Sequence, residues 1–278
     1  MTPPVGPVLV RIGPLEVHWY GVLILTGVLL GTAYAARRAS HRGISPDHIW
    51  NGVTVCIVLG IIGARLYHVF STPAGCTPQS GYACGWPWYR QHPGDIIKIW
   101  NGGLGIYGAI AGGVLAIVIY ARHYGLSILS LLDLGGPGLA LGQAIGRWGN
   151  FINQELYGPP TGSSWFGVRI EGLGDTLFHP TFLYESLWCL ALFIVLAVLS
   201  RKLEEDLRPG DIFAGYAIGY GVGRFWIEEF FRPDAWIAGP LAAAQWVGLI
   251  LIAVGVAVVI VQHRRPTSPE KPEGATVE

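Results

Sequence analysis

The sequence predicts an all-α, polytopic integral membrane protein, and three observations carry that expectation. Of the 278 residues, 51% are hydrophobic and only 13% charged, where a soluble domain carries about 25% charged residues. The 40 glycines and 11 tryptophans suit closely packed helices whose ends lie at membrane interfaces, where tryptophan collects. Seven apolar runs are long enough, or nearly so, to cross a hydrocarbon layer of about 30 Å as helices. The formal net charge is zero, so the basic surface of a nucleic-acid-binding protein is missing and no nucleic-acid partner is expected.

Taken in order, the N-terminus MTPPVGPVLV has no basic n-region. The first apolar run ends in basic residues rather than a small-residue cleavage site, so no cleavable signal peptide is expected. The spans are placed at 17–36, 50–70, 103–121, 127–146, 180–200, 211–231 and 241–262. Asp133 and Pro137 interrupt the fourth, which is expected to be a broken helix facing protein or water. Ten of the 18 basic residues lie in the loops after spans one, three, five and seven: Arg37, Arg38, Arg42, Arg122, Arg201, Lys202, Arg208, Arg264, Arg265 and Lys271. Only Arg11, Arg90, Lys98 and Arg169 lie in the opposite loops and tail. The positive-inside bias therefore predicts an outer N-terminus and a cytoplasmic C-terminus. Residues 1–265 form one membrane-embedded domain in this reading, with segments 71–99 and 150–179 as a small outer-face cap. The charged, proline-rich tail 266–278 is expected to be disordered. Cys76 and Cys84 share one outer loop, as a disulfide or as two free thiols.

Four arginines remain: Arg65, Arg147, Arg224 and Arg232. Each closes a span running from inside to outside, which gathers them in the outer half of the membrane. Snorkelling to the interface accounts for Arg232, and Arg65 in GARLYHVF suits a structural partnership with a carboxylate. Arg147 and Arg224 share more. Gly138, Gly142 and Gly146 precede the first; Gly215, Gly219 and Gly223 precede the second. Such ladders make a smooth helix face that another backbone can approach. If the two ladder-bearing helices pack closely, both guanidiniums come to similar depth. A guanidinium fork matches phosphate, the abundant anion at that depth. Glu228 lies four residues after Arg224 and pairs with it across one helical turn.

The stretch GRWGNFINQELYG at 146–158 resembles the signature of the bacterial prolipoprotein diacylglyceryl transferase family, G-R-x-G-N-F-x-N-x-E-x-x-G. HWYG at 18–21, GARL at 63–66, GGLGIYG at 102–108, HPTFLYE at 179–185 and GYGVGRFWIEEFFRPD at 219–234 extend the resemblance over most of the chain. It implies a seven-span enzyme of the bacterial inner membrane. Such an enzyme moves the diacylglyceryl group of phosphatidylglycerol onto the lipobox cysteine of a prolipoprotein signal peptide. A thioether forms, glycerol 1-phosphate leaves, and the reaction lies at the outer leaflet; this is the first step of lipoprotein maturation. The resemblance assigns Arg147 and Arg224 to the phosphate, and Asn150, Asn153, Glu155 and Gly158 to the signature around the headgroup. Tyr20, Tyr220 and Glu228 are further functional positions, and His18 and Arg65 join the substrate-binding set. Many members have histidine where this chain has Tyr107. Tyrosine, with a pKa near 10, is a poor base at neutral pH. Glu155, His18 and His179 stand as other bases, or the histidine's role is not obligatory; Tyr107 suits a hydrogen bond to the headgroup.

The thiolate nucleophile comes from the substrate, so the chain needs no acyl-enzyme residue, and no cofactor or metal is expected. Two other readings have sequence tests. An anion transporter would place its charges near the midplane, whereas these arginines sit at one end. A phosphotransferase using a nucleotide-activated lipid would need clustered aspartates for Mg²⁺, and the outer segments hold no DxxD cluster.

Overall fold

The computed structural model describes residues 1–13, 15–71, 85–232 and 237–264, without the side chains of Leu15 and Asn101. The Cys76/Cys84 question and the 266–278 tail lie outside the described residues.

A hairpin of β1 (Val8–Ile12) and β2 (Leu15–His18) leads directly into α1 (Trp19–His41). There follow α2 (Pro46–Phe70), a short α3 (Gly85–Tyr89), α4 (Ile106–Tyr124) and α5 (Ile128–Asn153). A two-residue pair, β3 (Val168–Arg169) with β4 (Leu177–Phe178), precedes α6 (Thr181–Lys202) and α7 (Asp211–Phe231). A second such pair, β5 (Ile237–Ala238) with β6 (Leu241–Ala242), precedes α8 (Ala243–Arg264). All three strand pairs are antiparallel. The chain is thus a helical membrane protein with minor hairpins. Among the described residues six helices, α1, α2, α4, α5, α6 and α8, are long and apolar enough to cross a membrane. The other long helix, α7, carries Asp211, Arg224, Glu228 and Glu229 within 21 residues.

Local chemistry fixes the helix ends. Ser45 caps α2 by accepting from the Asp47 amide at 3.3 Å, with Pro46 in the first turn, where a missing N–H costs nothing. α4 stops at Gly125 in the left-handed region. α5 is one continuous helix, contrary to the expected break: Pro137 sits inside it, fully buried. Asp133, the other expected breaker, is buried and faces Arg42 at 3.7 Å. A neutralised carboxylate and a packed proline ring leave the helix intact.

By its contacts the chain divides into two compact units, Thr32–Leu134 and Met1–Gly31 with Gly135–Glu278. In the first, α2 and α4 meet backbone to backbone, since a Cβ on Gly63 would strike Gly108 O and one on Gly112 would strike Leu59 O. In the second, Gly27 and Gly31 of α1 meet Gly142 and Gly138 of α5; a Cβ on Gly31 would lie 2.6 Å from Gly138 O. Gly215, Gly219 and Gly223 of α7 instead receive Leu196, Leu192 and Trp188 of α6. The sequence left open whether the two ladder-bearing helices pack on one another. Each serves a different neighbour, because a glycine stripe accepts whichever partner its helix happens to face.

Candidate active site

The site lies in the second unit, where α6 stands between α5 and α7. Ser186 Oγ donates to Ala144 O of α5 at 2.8 Å and accepts from Trp148 Nε1 at 3.2 Å. Trp188 Nε1 donates to Gly219 O of α7 at 2.9 Å. One residue before the first of these ties, α6 projects Glu185, whose side chain is only 6% exposed. Its Oε2 is ion-paired with Arg147 Nε, and its Oε1 accepts from Arg224 Nη1 at 2.7 Å. One buried carboxylate therefore holds both guanidiniums.

The network continues outward. Arg224 Nη2 lies 2.7 Å from Glu228 Oε2 across one turn of α7, the pairing its i,i+4 spacing predicts. Arg147 Nη1 donates to Asn150 Oδ1 at 3.4 Å, and Asn150 Nδ2 donates to Glu155 Oε1 at 2.8 Å. Asn153 Nδ2 reaches the same oxygen at 3.4 Å. Tyr220 is close enough to both guanidiniums and to Glu185 to interact electrostatically, and Tyr20 to Arg147.

The turn that brings Glu155 back over α5 has a backbone cause. Glu155 N donates to Asn150 O at 3.0 Å and Gln154 N to Phe151 O at 3.1 Å, a Schellman pair. That motif needs a left-handed residue, here Gln154 at φ 55°, and Leu156 follows at φ 57°. Non-glycine residues at such angles cost about 1–2 kcal/mol each. Gln154 Oε1 accepts from Glu171 N at 2.6 Å, which ties the turn to the loop beyond. The signature glycines have steric reasons: a Cβ on Gly149 would enter the Tyr20 ring, and one on Gly158 would lie 2.7 Å from His179 Cβ and 3.1 Å from Phe231 O.

Of the residues singled out in the sequence, Arg147, Arg224, Glu228, Asn150, Asn153, Glu155, Tyr220 and Tyr20 thus come together. Gly158 is a packing position. His18 stays exposed on β2, 3.9 Å from Glu16. His179 Nδ1 pairs with Tyr184 OH at 2.9 Å. Tyr107 and Arg65 belong to the other unit. There the Tyr107 ring packs against Tyr67, centroids 5.7 Å apart. Arg65 meets backbone carbonyls rather than the expected carboxylate partner.

Glu185 is the residue that sequence reasoning passed over. Its signal was present: an ionisable side chain within the apolar run TFLYESLWCLALF, where a charge marks a functional site by default.

Fold and site together define a polytopic helical membrane protein with a buried arginine–glutamate network at one helix end. Comparison with known proteins narrows this. Residues 7–261 match the family model described as prolipoprotein diacylglyceryl transferase, and the chain belongs to that family. It is 43% identical to the phosphatidylglycerol–prolipoprotein diacylglyceryl transferase of Synechococcus elongatus, over 90% of this chain and 85% of the relative. The corresponding proteins of Chloroflexus aggregans and Bacillus velezensis are 39% and 36% identical, covering 98% and 94% of this chain and 96% and 94% of their own lengths.

Proposed function

We propose that this protein transfers the diacylglyceryl group of phosphatidylglycerol to the lipobox cysteine of prolipoproteins, the first step of bacterial lipoprotein maturation. The family and the relatives' names support that reading. Convergence of Arg147 and Arg224 on one carboxylate carries the mechanism. Two guanidiniums able to share the oxygens of Glu185 are arranged to share those of a phosphodiester, since both anions offer paired acceptors to the guanidinium fork.

The lipid phosphate competes with Glu185 for these donors, while Glu228 keeps Arg224 aligned. The substrate thiolate attacks the glycerol carbon of the diacylglyceryl group. Its carbon–oxygen bond to the phosphate breaks, a carbon–sulfur bond forms, and glycerol 1-phosphate departs with its charge held by the arginines. The thiol proton needs an acceptor. Glu155 is exposed and uses Oε1 for Asn150 and Asn153, and its Oε2 is assigned that proton. Tyr20 and Tyr220 flank the arginines where a headgroup would lie, and Tyr107 is assigned a hydrogen bond to the lipid.

The loop charge bias supports seven spans in the bacterial inner membrane, with α7 as the polar seventh, the N-terminus outside and the C-terminus cytoplasmic. That orientation sets the arginine site toward the outer leaflet. Helix α7 tolerates its charges because Arg224 and Glu228 compensate one another within the protein.

The test uses purified protein with labelled phosphatidylglycerol and a synthetic lipobox peptide. Thioether-linked peptide and glycerol 1-phosphate in equal amounts are the expected products. Anion flux through proteoliposomes without thioether would replace this reading with a transporter.

A further inference from the structure

Arg65 offers an unusual solution to burying a charge. It is 7% exposed, on the last turns of α2. An arginine has five N–H donors, and each one here ends on a backbone carbonyl. Nε donates to Ile96 O at 2.8 Å; Nη1 to Gly102 O at 2.7 Å and Gly103 O at 3.0 Å; Nη2 to Asp95 O at 2.6 Å and Lys98 O at 3.4 Å. Its guanidinium carbon stands 5.2 Å from the Tyr89 ring centroid.

These carbonyls belong to the chain that feeds α4. Gly102 and Gly103 take φ of 83° and 77°, a conformation that presents both carbonyls to Nη1 and that few other residues adopt. A Cβ on Gly103 would lie 2.7 Å from Arg65 Nη1 and 2.5 Å from His68 Nε2, so the loop is seated against this side chain. Two residues on, Gly105 N donates to Ala64 O at 3.0 Å, beside Arg65 in sequence. Tyr67, also on this stretch of α2, packs on Gly105 and Gly108 and meets the Tyr107 ring. Residues 64–68 thus hold the entry to α4 from several sides.

We infer that Arg65 is a positioning residue: by fixing the carbonyls of residues 95–103 it sets where the Tyr107 side chain stands. Stability alone needs a buried charge neutralised, which one carboxylate achieves. Five separate carbonyls fix a backbone path. The inference rests on the reading of Tyr107 as a residue of the transfer reaction.

The experiment is a double-mutant cycle on the full chain, with Arg65→Lys, Tyr107→Phe and the pair, joined to ¹⁹F NMR of 3-fluorotyrosine placed at 107. Arg65→Lys keeps the charge but has three donors and no planar fork. Its kcat is expected to fall about tenfold and KM for phosphatidylglycerol to change little, while the thermal midpoint falls because Lys leaves at least two of the five carbonyls without a donor. Tyr107→Phe alone is expected to lose part of the rate, and the double variant to be no slower than Arg65→Lys. The ¹⁹F resonance should broaden or split in Arg65→Lys. Should that variant fail to fold, Gly103→Ala presses a methyl group on the same contact and takes its place. Losses that multiply, an unaltered ¹⁹F line, or a silent Tyr107→Phe each overturn the inference. If the unaltered protein makes no thioether while the ¹⁹F line still responds, the proposed reaction fails and the positioning survives.

Discussion

Arg65 and the pair Arg147 and Arg224 are all enclosed arginines near the ends of apolar helices, yet their surroundings differ in kind. Every donor of Arg65 is taken by a fixed backbone dipole. Among the described residues Arg147 uses one donor on Glu185 and one on Asn150, and Arg224 one on Glu185 and one on Glu228. Backbone carbonyls cannot leave without unfolding the loop, whereas a carboxylate on a side chain can yield its place to another anion. A saturated arginine is built to hold its own chain; a shared pair with donors in reserve is built to exchange ligands.

Three expectations follow from that contrast. Arg147→Ala and Arg224→Ala should each lower transfer at least about a hundredfold, because each removes a charge that stabilises the departing phosphate. Membrane insertion, read by protease protection, should be normal, and near-normal turnover in either variant would refute the exchangeable pair. Next, Glu185→Gln should destabilise the protein by about 3–5 kcal/mol, since it strips the shared counter-charge from two enclosed guanidiniums. Thermal unfolding should show added glycerol 1-phosphate raising the midpoint more in this variant than in the unaltered protein. Equal midpoints without ligand would mean that Glu185 is not the counter-charge.

The smallest effect lies beside Arg65. The Asp95 carboxyl is held below the usual aspartate range, first by its hydrogen bond from Lys98 Nζ at 2.7 Å; burial opposes this, and the Lys98 charge, the Trp88 hydrogen bond and the His92 charge lower it further. A depressed value stabilises the fold above the unfolded-state value and loses that contribution as pH falls through the folded one. The midpoint difference between the unaltered protein and Asp95→Asn should therefore shrink below about pH 4. A difference independent of pH would remove the ion pair from the loop's stability.

Much of this was legible from residues alone. The helix positions followed from apolar runs of span length, within a few residues of the observed bounds for α2, α4, α6, α7 and α8. The α7 pair followed from i,i+4 spacing, since Arg224 and Glu228 share a helix face wherever that helix goes. α5 ran two turns beyond its expected end, to Asn153: Arg147 and Trp148 find partners on α6, and Asn150 and Asn153 find theirs in the turn that follows, at Glu155. The glycine ladders announced close packing without naming the neighbour.

By itself, then, the sequence determined a helical membrane protein, the family and the two arginines, since composition, period and motif are properties of nearby residues. Only the tertiary structure decided that Glu185 joins those arginines and that Arg65 serves backbone carbonyls. Glu185 is 38 residues from Arg147 and 39 from Arg224 along the chain. Separations of that length carry no periodic signal, and folding alone chooses which buried donor meets which acceptor.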